Sequence, residues 1–545
     1  MIVNETLLRG GNGGDVARAH IQQLMASTPD TVPSSVTCKK VKRCDRRNVC
    51  VITCKPGSVH VDTWLQNSLK VQRKLAFRRS LCSAQLPGTH NSAINMADGY
   101  GVEDHVFEGY LKYLSWFKPN MRVHTNDQLF SLTDQMRMGV RFIELDVHWF
   151  DDDLRIAHCG GFHSSLLDDF VAALNKIAHF LGTDIQWDSG TIGCKPSLSS
   201  IPADEQRHLG DALKEVAAWL HAQENQDEFL LVFFDDESDL FRWKKVRTLL
   251  KYLKEHFAKE EMFVPADLKR FKGWPTPQEL LKVGKRVMFM SGSNYSPRGD
   301  EILFVKSHVC DWTEPSLPFE PYPTCRFKPS HEGPSDSNST IFRPETSEIE
   351  YGFLNADGHL GPNEYLLTEK SLPPLLQCGV NIPSPDNVTP KRMESMVWAF
   401  NRASPLAKSK CVGLTRKATY WHSVDCGHPG YVAACVSASD TRDWKLTKTP
   451  VPEKEAAEAC TLFGAGFAYS VPSSGYENHL LLDKLAHAPS NIQGVWIDVK
   501  DLVHEAFFAN DEDAEKTAIE NSEGSEAPEG LTTDMTTMDE VMVIM

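Results

Sequence analysis

Long hydrophobic runs are missing from this sequence. Its longest strongly apolar stretch, residues 229–234, has only the length of a β-strand, whereas a membrane-spanning helix needs about 20 apolar residues. The first thirty residues include Glu5, Arg9, Asp15 and Arg18 and therefore lack the apolar core that a signal peptide requires. These absences predict a chain with no transmembrane segment and no signal peptide.

An excess of positive charge is also missing. The formal net charge is −16, and residues 511–545 alone carry 11 acidic side chains and one lysine. A nucleic-acid binder obtains much of its affinity from basic side chains that contact phosphates, so the composition argues against that class. The basic run at Lys39, Lys40, Lys42 and Arg43 is the exception, and a solvated loop explains it better than a phosphate or anionic-lipid contact.

Zinc-like spacings are absent from the first of two dense cysteine groups. The sequence has 14 cysteines, and the two groups are Cys38, Cys44, Cys50 and Cys54, followed by Cys411, Cys426, Cys435 and Cys460. The first group lacks the paired two-residue gaps of common zinc motifs, so zinc is the less favoured alternative there. An even number of cysteines at this density predicts disulfides and a secreted or secretory-pathway protein whose leader is missing from the sequence.

Four regions differ in composition along the chain. Residues 1–80 are predicted to form an irregular leader and a cysteine-rich cap, residues 410–505 a small disulfide-linked β-rich domain, and residues 506–545 a disordered acidic tail. Between them, residues 81–405 alternate strand-like and helix-like segments. Repeated βα units of this length predict an α/β fold, specifically a TIM-type (β/α) barrel.

Short apolar runs mark the candidate strands of this barrel: residues 83–86, 142–147, 154–157, 229–234, 286–290 and 395–400. Residues 213–223 and 246–257 have apolar side chains at helical spacing. Residues 314–344 are rich in proline, serine and glutamate, which predicts a long surface loop.

Two histidines and two carboxylates lie where strands of such a barrel would end. The motif Leu86-Pro87-Gly88-Thr89-His90-Asn91-Ser92 is followed by a strand carrying Glu144 and Asp146, and then by His158. Alternate residues of a strand share a face, so Glu144 and Asp146 should project together, as a hard cation requires. Histidine titrates near neutrality and can act as general acid or base. This combination favours phosphodiester cleavage.

These segments together resemble the catalytic X region of phosphatidylinositol-specific phospholipase C. The resemblance is strongest over residues 80–240 and implies a phosphoric diester hydrolase built on a barrel. His90 matches the first catalytic histidine, which contacts the phosphoryl group or takes the proton of the attacking hydroxyl. His158 matches the second, which protonates the leaving alkoxide, and Glu144 also belongs to the catalytic set.

The resemblance further implies a divalent cation, with Ca²⁺ as the expected ion. Asn91, Glu144 and Asp146 match oxygen ligands of the calcium-dependent eukaryotic members, whereas bacterial metal-independent members have an arginine at the position of Asp146. Asp235 matches a further carboxylate ligand that is usually a glutamate, although a helix N-cap would also explain an aspartate there. Asp386 matches an aspartate that orients the first histidine in some members, and a turn aspartate is an equal alternative.

The resemblance implies a phospholipid or other phosphodiester substrate at a peripheral membrane surface. Residues 287–290 are apolar where phosphoinositide enzymes carry lysines, so unphosphorylated phosphatidylinositol or a glycosylated derivative is expected. Two alternatives stay open. One is a glycerophosphodiesterase or sphingomyelinase D-like enzyme, and the other is a non-catalytic sugar- or surface-binding protein on the same barrel.

Overall fold

A computed structural model of the chain describes most of the sequence outside the two termini. The described residues are 28–105, 124–150, 152–157, 172, 175–176, 179, 200–235, 240–241, 243–328, 333–336, 339–349, 351, 361–404, 406–408 and 410–508. None of the helices in these ranges is both long and apolar enough to cross a bilayer.

A mainly parallel sheet forms the centre of the larger domain. Its strands run in the order Gly88–Thr89, Phe142–Phe150, Leu230–Asp235, Val287–Ser291 and Met262–Phe263. Leu303–Val305 also pairs with Val287–Ser291, and Asp153–Ile156 returns antiparallel along Phe142–Phe150. Leu230–Asp235 and Val287–Ser291 are apolar and buried up to their last residues, as expected where both faces of a parallel sheet are covered.

Helices pack on this sheet, and some of them begin at a side-chain cap. Asp62 caps the helix Thr63–Ala76 by accepting a hydrogen bond from the Leu65 N–H at 3.0 Å. The helix Leu209–His221 buries Leu213, Val216 and Leu220 on one face. Other helices are Leu132–Met138, Val246–His256, Pro265–Leu268, Pro277–Lys282, Pro362–Tyr365, Leu372–Gln377, Pro390–Glu394, Ala456–Thr461 and Gly475–Ala486, and residues 500–508 are also helical.

Backbone hydrogen bonds continue beyond the regular strands toward the first one. Residues 310–313 bond to residues 341–343, residues 342–344 bond to residues 382–384, and residues 381–383 bond to residues 86–88. The last contact is close, because a Cβ on Gly88 would lie 2.6 Å from Ser384 Oγ. No such bonds join Leu303–Val305 to 310–313 within the described chain, so the closed barrel stays a prediction.

Two of the predicted strands are wrong. Residues 83–86 contain no assigned strand, since residue 83 ends a turn and residues 84–86 are irregular; the strand is Gly88–Thr89. Residues 395–400 also contain no strand; the segment that pairs beside the first strand is instead 381–384. Pro383 within this segment and Pro385 directly after it are typical turn signals in the sequence, whereas the apolar run at 395–400 is largely buried as irregular chain.

Disulfides join all twelve cysteines that the structure describes, which confirms the predicted cysteine chemistry for those positions. The hairpin of Lys40–Cys44 and Cys50–Cys54 is closed by Cys38–Cys54 and Cys44–Cys50. The region of the parallel sheet has Cys82–Cys310 and Cys325–Cys378, and the C-terminal region has Cys411–Cys426 and Cys435–Cys460. Disulfides at this density are typical of extracellular proteins.

A second sheet makes up the C-terminal region. Its strands are His422–Val424, Cys411–Thr415, Gly494–Trp496, Tyr431–Ser437 and Trp444–Leu446 in spatial order, with Phe467–Tyr469 also paired to Tyr431–Ser437. The region docks on the larger domain through Gln85, which accepts from the Gly475 N–H at 2.9 Å, and through an Arg79–Glu477 ion pair. Gln85 and Arg79 precede the first strand in the sequence, whereas His90 follows it.

Candidate active site

The predicted site residues of the described chain gather at the carboxyl ends of neighbouring parallel strands. His90 and Asn91 follow Gly88–Thr89, and Glu144 and Asp146 lie on Phe142–Phe150. Thr89 pairs with Ile143, and Asp146 pairs with Asp235 on the next strand. Parallel register therefore brings together groups that are far apart in sequence, as the strand-end argument predicts.

Ser92 ties the first strand end to the second. Its hydroxyl accepts from the Glu144 N–H at 2.9 Å, and its own N–H donates to the Glu144 carbonyl at 2.9 Å. Ser92 also lies 2.7 Å from the Thr89 hydroxyl, and both side chains are fully buried. The Thr-His-Asn-Ser sequence thus fixes the position of His90 relative to Glu144.

His90 forms a buried pair with Asp386. The His90 Nδ1 lies 2.7 Å from Asp386 Oδ1, and the two residues are 8% and 1% exposed. Burial alone would lower the pKa of His90, but attraction to the Asp386 carboxylate and the hydrogen bond outweigh it and hold that pKa well above its usual value. Of the two sequence-based interpretations of Asp386, the structure favours the one that orients His90.

Asp386 is itself held by the segment around it. Its second oxygen accepts from the Glu348 N–H at 2.6 Å, and its backbone carbonyl accepts from Arg392 at 2.5 Å. Gln128 supports the other side of the pair, donating to the His90 carbonyl at 2.7 Å. The imidazole ring therefore has a fixed orientation, with Nδ1 committed and Nε2 left to face other groups.

Glu144 carries a counter-charge that sequence reasoning missed. Its Oε2 accepts from the Asn91 N–H at 3.1 Å and forms an ion pair with the Arg343 guanidinium. Burial raises the pKa of Glu144 to about 7, because attraction to Arg343 and His90 is offset by repulsion from Glu345 and Asp146. Glu144 is therefore poised to gain or lose a proton near neutrality.

Arg343 lies in the stretch predicted as a surface loop, and that prediction is wrong at this residue. It is 1% exposed, and its guanidinium lies 4.9 Å from the Phe142 ring centroid. Besides Glu144, it pairs with Glu345 and, at 3.1 Å, with Glu314. Burial would lower the pKa of Arg343, but these glutamates raise it, so the arginine is a permanent positive charge.

Asn91 presents an oxygen suited to a cation. Its backbone has φ of +43°, a left-handed conformation that asparagine tolerates better than most residues. The side-chain Nδ2 donates to Asp127 Oδ2 at 3.0 Å, while the buried Oδ1 receives no hydrogen bond within the described chain. A buried amide oxygen without a donor is destabilising by about 1–3 kcal/mol, unless another positive group meets it. This orphaned oxygen fits a hard cation.

In the described chain, two sets of three residues could each hold a metal ion, because the histidine and carboxylate ligand atoms within each set lie within 4.8 Å of one another. They are His90–Asp127–Asp386 and His90–Glu144–Glu345, and neither contains Asp146 or Asp235. Arg343 already neutralises Glu144 and Glu345 in the second set. Asp146 and Asp235 are adjacent in strand register, and Asp146 is 4% exposed while Asp235 is half-buried.

The second predicted catalytic histidine, His158, lies outside the described residues. The residue before it, Ala157, donates its N–H to the Asp146 carbonyl at 3.2 Å. His148, further along the strand of Asp146, is 1% exposed and lies 3.3 Å from Gln206 Oε1. Burial lowers the pKa of His148 to about 4, so this histidine is neutral at physiological pH.

No protein-family model matches the chain. Proteins from two strains of Mycobacterium tuberculosis, both described as uncharacterized, are each 24% identical to it over 439 residues, which is 78% of this chain and 78% of theirs. A solved phosphatidylinositol-specific phospholipase C of S. aureus superposes with a TM-score of 0.33 at 13% identity, covering 61% of this chain and 98% of that one. A superposition this loose carries no argument about fold or activity.

Proposed function

We propose that the chain is a phosphoric diester hydrolase of the phospholipase C type that cleaves a phosphatidylinositol-like phosphodiester. The observation that carries this proposal is the buried His90–Asp386 pair, set beside Glu144 and the orphaned oxygen of Asn91. A histidine base oriented by a carboxylate, next to oxygen atoms that could bind a divalent cation, is suited to the hydrolysis of a phosphodiester. The proposal includes closure of the parallel sheet into the (β/α) barrel predicted from the sequence.

His90 promotes the attack in this proposal. With Nδ1 bound to Asp386, the neutral form of His90 takes the proton of the substrate hydroxyl that attacks phosphorus, at Nε2. The Asp386 carboxylate stabilises the resulting imidazolium, and because it also raises the pKa of His90, the fraction of neutral ring and the rate should increase with pH. The bond from phosphorus to the glycerol oxygen breaks, and His158 supplies the proton to that leaving oxygen. These roles follow the sequence resemblance, with general acid and base catalysis each contributing about 10²–10⁴-fold.

A divalent cation, Ca²⁺ in the proposal, would be held by Asn91, Glu144, Asp146 and Asp235. It would supply positive charge to the phosphoryl oxygens as negative charge develops there. Two observations support this cation site. Asn91 Oδ1 receives no hydrogen bond within the described chain, and the carboxylates of Glu144, Asp146 and Asp235 are on the same face of neighbouring strands. Arg343 holds Glu144 in place and leaves its second oxygen for a ligand.

The proposed substrate is a membrane lipid, so the chain would act at a membrane surface in an oxidising compartment. The disulfides support the compartment, and the strand-end position of the site supports access from one side of the molecule. Nucleic acid is not proposed as a partner, given the acidic composition.

Release of a phosphorylated headgroup from phosphatidylinositol vesicles tests the proposal. We expect turnover with Ca²⁺, little turnover with a chelator, and loss of at least about 10³-fold in His90→Ala and His158→Ala. His487→Ala is the matched control, because His487 has a side chain that is 78% exposed and far in sequence from the site. Retained turnover in either site variant would overturn the catalytic assignment.

A further inference from the structure

Asp127 lies outside the predicted set and contacts the side chain of the proposed cation ligand Asn91 directly. Its Oδ2 accepts from Asn91 Nδ2 at 3.0 Å, and the two residues are 2% and 3% exposed. The motif containing His90 and Asn91 gives no sign of this partner, which lies 36 residues further along the chain. What Asp127 does for the amide follows from the chemistry of the contact.

The two ends of a carboxamide are chemically opposite. In the observed orientation the Asn91 nitrogen donates to a carboxylate, which is favourable. Rotation of the amide by half a turn would place Oδ1 against Asp127 Oδ2, with two acceptors and no proton between them. A hydrogen bond to an ionised carboxylate is roughly twice as strong as one between neutral groups, so Asp127 strongly favours one orientation of the amide.

That selection determines where the Asn91 oxygen points. Because Nδ2 is bound to Asp127, Oδ1 must face away from Asp127, and it is the atom left without a donor in the described chain. An asparagine without this partner could present either end to a cation, and its NH₂ end would repel one.

The backbone around Asp127 is fixed on both sides. Its N–H donates to the Ile94 carbonyl at 3.0 Å, and its carbonyl accepts from the Asn387 N–H at 2.7 Å. The next residue in the chain, Gln128, binds the His90 carbonyl. Asp127 is therefore held by the same segments that hold His90 and Asp386, and it can act as a rigid reference for the amide.

We propose that Asp127 is a positioning residue that orients the carboxamide of Asn91 so that Oδ1 binds the divalent cation. The proposal rests on the cation of the proposed function and adds a residue to it. Partners of this kind, which orient a ligand without touching the metal, typically change metal affinity by about 10–100-fold when replaced.

Isothermal titration calorimetry of the full chain with CaCl₂ tests the proposal without any substrate. Asp127→Asn should weaken Ca²⁺ binding by about 10–100-fold relative to the wild-type chain. Asp104→Asn is the matched control, since Asp104 is a partly buried carboxylate that binds Thr125 at 2.6 Å instead of Asn91. That control should bind Ca²⁺ within about 3-fold of wild type, because it leaves the amide contact intact.

The exchanged pair Asn91→Asp with Asp127→Asn separates orientation from fold. A carboxylate at position 91 has two equivalent oxygens, and the amide at position 127 can donate to one of them. The exchanged chain should therefore regain Ca²⁺ binding to within about 3-fold of wild type, showing a coupling that an unfolded variant could not show. It also keeps the test available if Asp127→Asn alone does not fold.

The possible failures are distinguishable. Equal Ca²⁺ affinity in wild type and Asp127→Asn would overturn the positioning role and leave the cation of the proposed function intact. Weak binding in both Asp127→Asn and the exchanged pair would also overturn it. Absence of Ca²⁺ binding by the wild-type chain would overturn the cation itself and the positioning role with it.

Discussion

Replacement of Glu228 by glutamine should remove a pH-dependent part of the free energy of unfolding. Glu228 precedes Leu230–Asp235 and is 6% exposed. It accepts from Arg141 Nε at 2.8 Å and from Arg73 at 2.5 Å, and Arg141 immediately precedes the strand that carries Glu144 and Asp146. The perturbation therefore tests the ion pairs at the opposite end of the site-bearing strands.

The magnitude follows from the pKa of Glu228. Burial raises this pKa, but attraction to Arg141 and Arg73 outweighs burial and lowers it to about 2, from an ordinary value of 4.5. A difference of about 2.5 pKa units corresponds to about 3 kcal/mol. Since the folded-state pKa is depressed, this stabilisation is complete above the unfolded-state pKa and is lost as pH falls toward the folded-state value. About 2 kcal/mol of it should disappear between pH 5 and pH 3.

Urea denaturation of the oxidised chain, followed by fluorescence at pH 7, 5 and 3, measures this effect. Glu228→Gln should be less stable than wild type by at least about 3 kcal/mol at pH 7, because two buried arginines lose their partner. The difference should shrink by about 2 kcal/mol at pH 3. Glu205→Gln removes an exposed partner of Arg46 and should change stability by less than about 1 kcal/mol. A Glu228→Gln deficit that is small at pH 7, or equal at pH 7 and pH 3, would refute the reasoning.

Three further outcomes are expected. Asp386→Asn should lower kcat by about 10–100-fold with little change in KM, because a charge-assisted hydrogen bond is worth about 1.5–3 kcal/mol. It should also shift the part of the pH–rate profile that reports His90 to lower pH, and an unshifted profile would contradict the role of Asp386 in raising the pKa of His90. Replacing Cys82 and Cys310 by alanine removes a disulfide between residues 228 positions apart and should lower the free energy of unfolding, measured with urea, by about 2–5 kcal/mol. A decrease below about 1 kcal/mol would contradict a stabilising role for this disulfide. Between pH 7 and pH 5 the free energy of unfolding of wild type should fall by about 2 kcal/mol more than that of His148→Asn. The folded-state pKa of His148 is about 4, so only the unfolded chain binds a proton there in this pH range. Parallel curves of stability against pH for the two chains would contradict a buried, neutral His148.

Local patterns explain which parts of the site the sequence could predict. Glu144 and Asp146 share a face because strand residues alternate, and Asp235 lies beside Asp146 because consecutive parallel strands end at one edge. His90 directly follows the strand Gly88–Thr89, so its placement at the same edge required no knowledge of distant contacts. The predicted strands at 229–234 and 286–290 are almost entirely apolar, and the one at 142–147 alternates Glu144 and Asp146 with apolar residues. The structure has strands at all three places.

The partners that orient these groups could not be predicted in the same way. Arg343, Glu345 and Asp127 reach the site from stretches without helical or strand periodicity. A charged residue such as Arg343 is normally exposed, and its burial becomes favourable only because glutamates from three segments surround it. Asp386 is a candidate partner of His90 in the sequence analysis, but the two residues are 296 positions apart. No local sequence pattern predicts a contact over that separation.

Glycine and proline residues made the first and last extended segments of the sheet difficult to predict from the sequence. Gly88 allows the first strand to approach Ser384 so closely that a Cβ would clash with its side chain. Pro383 and Pro385 flank that serine and suggest a turn when the sequence is read alone. Extended chain at these positions is stabilised by its neighbours and not by its own propensity.

Phosphorus NMR of phosphatidylinositol vesicles incubated with the full-length chain and Ca²⁺ tests the central claim most directly. The proposed mechanism predicts a cyclic inositol phosphate as the first water-soluble product, formed by wild type and not by His90→Ala. The absence of any phosphorus-containing product with and without Ca²⁺, or cleavage on the headgroup side to leave phosphate on the lipid, would contradict the claim.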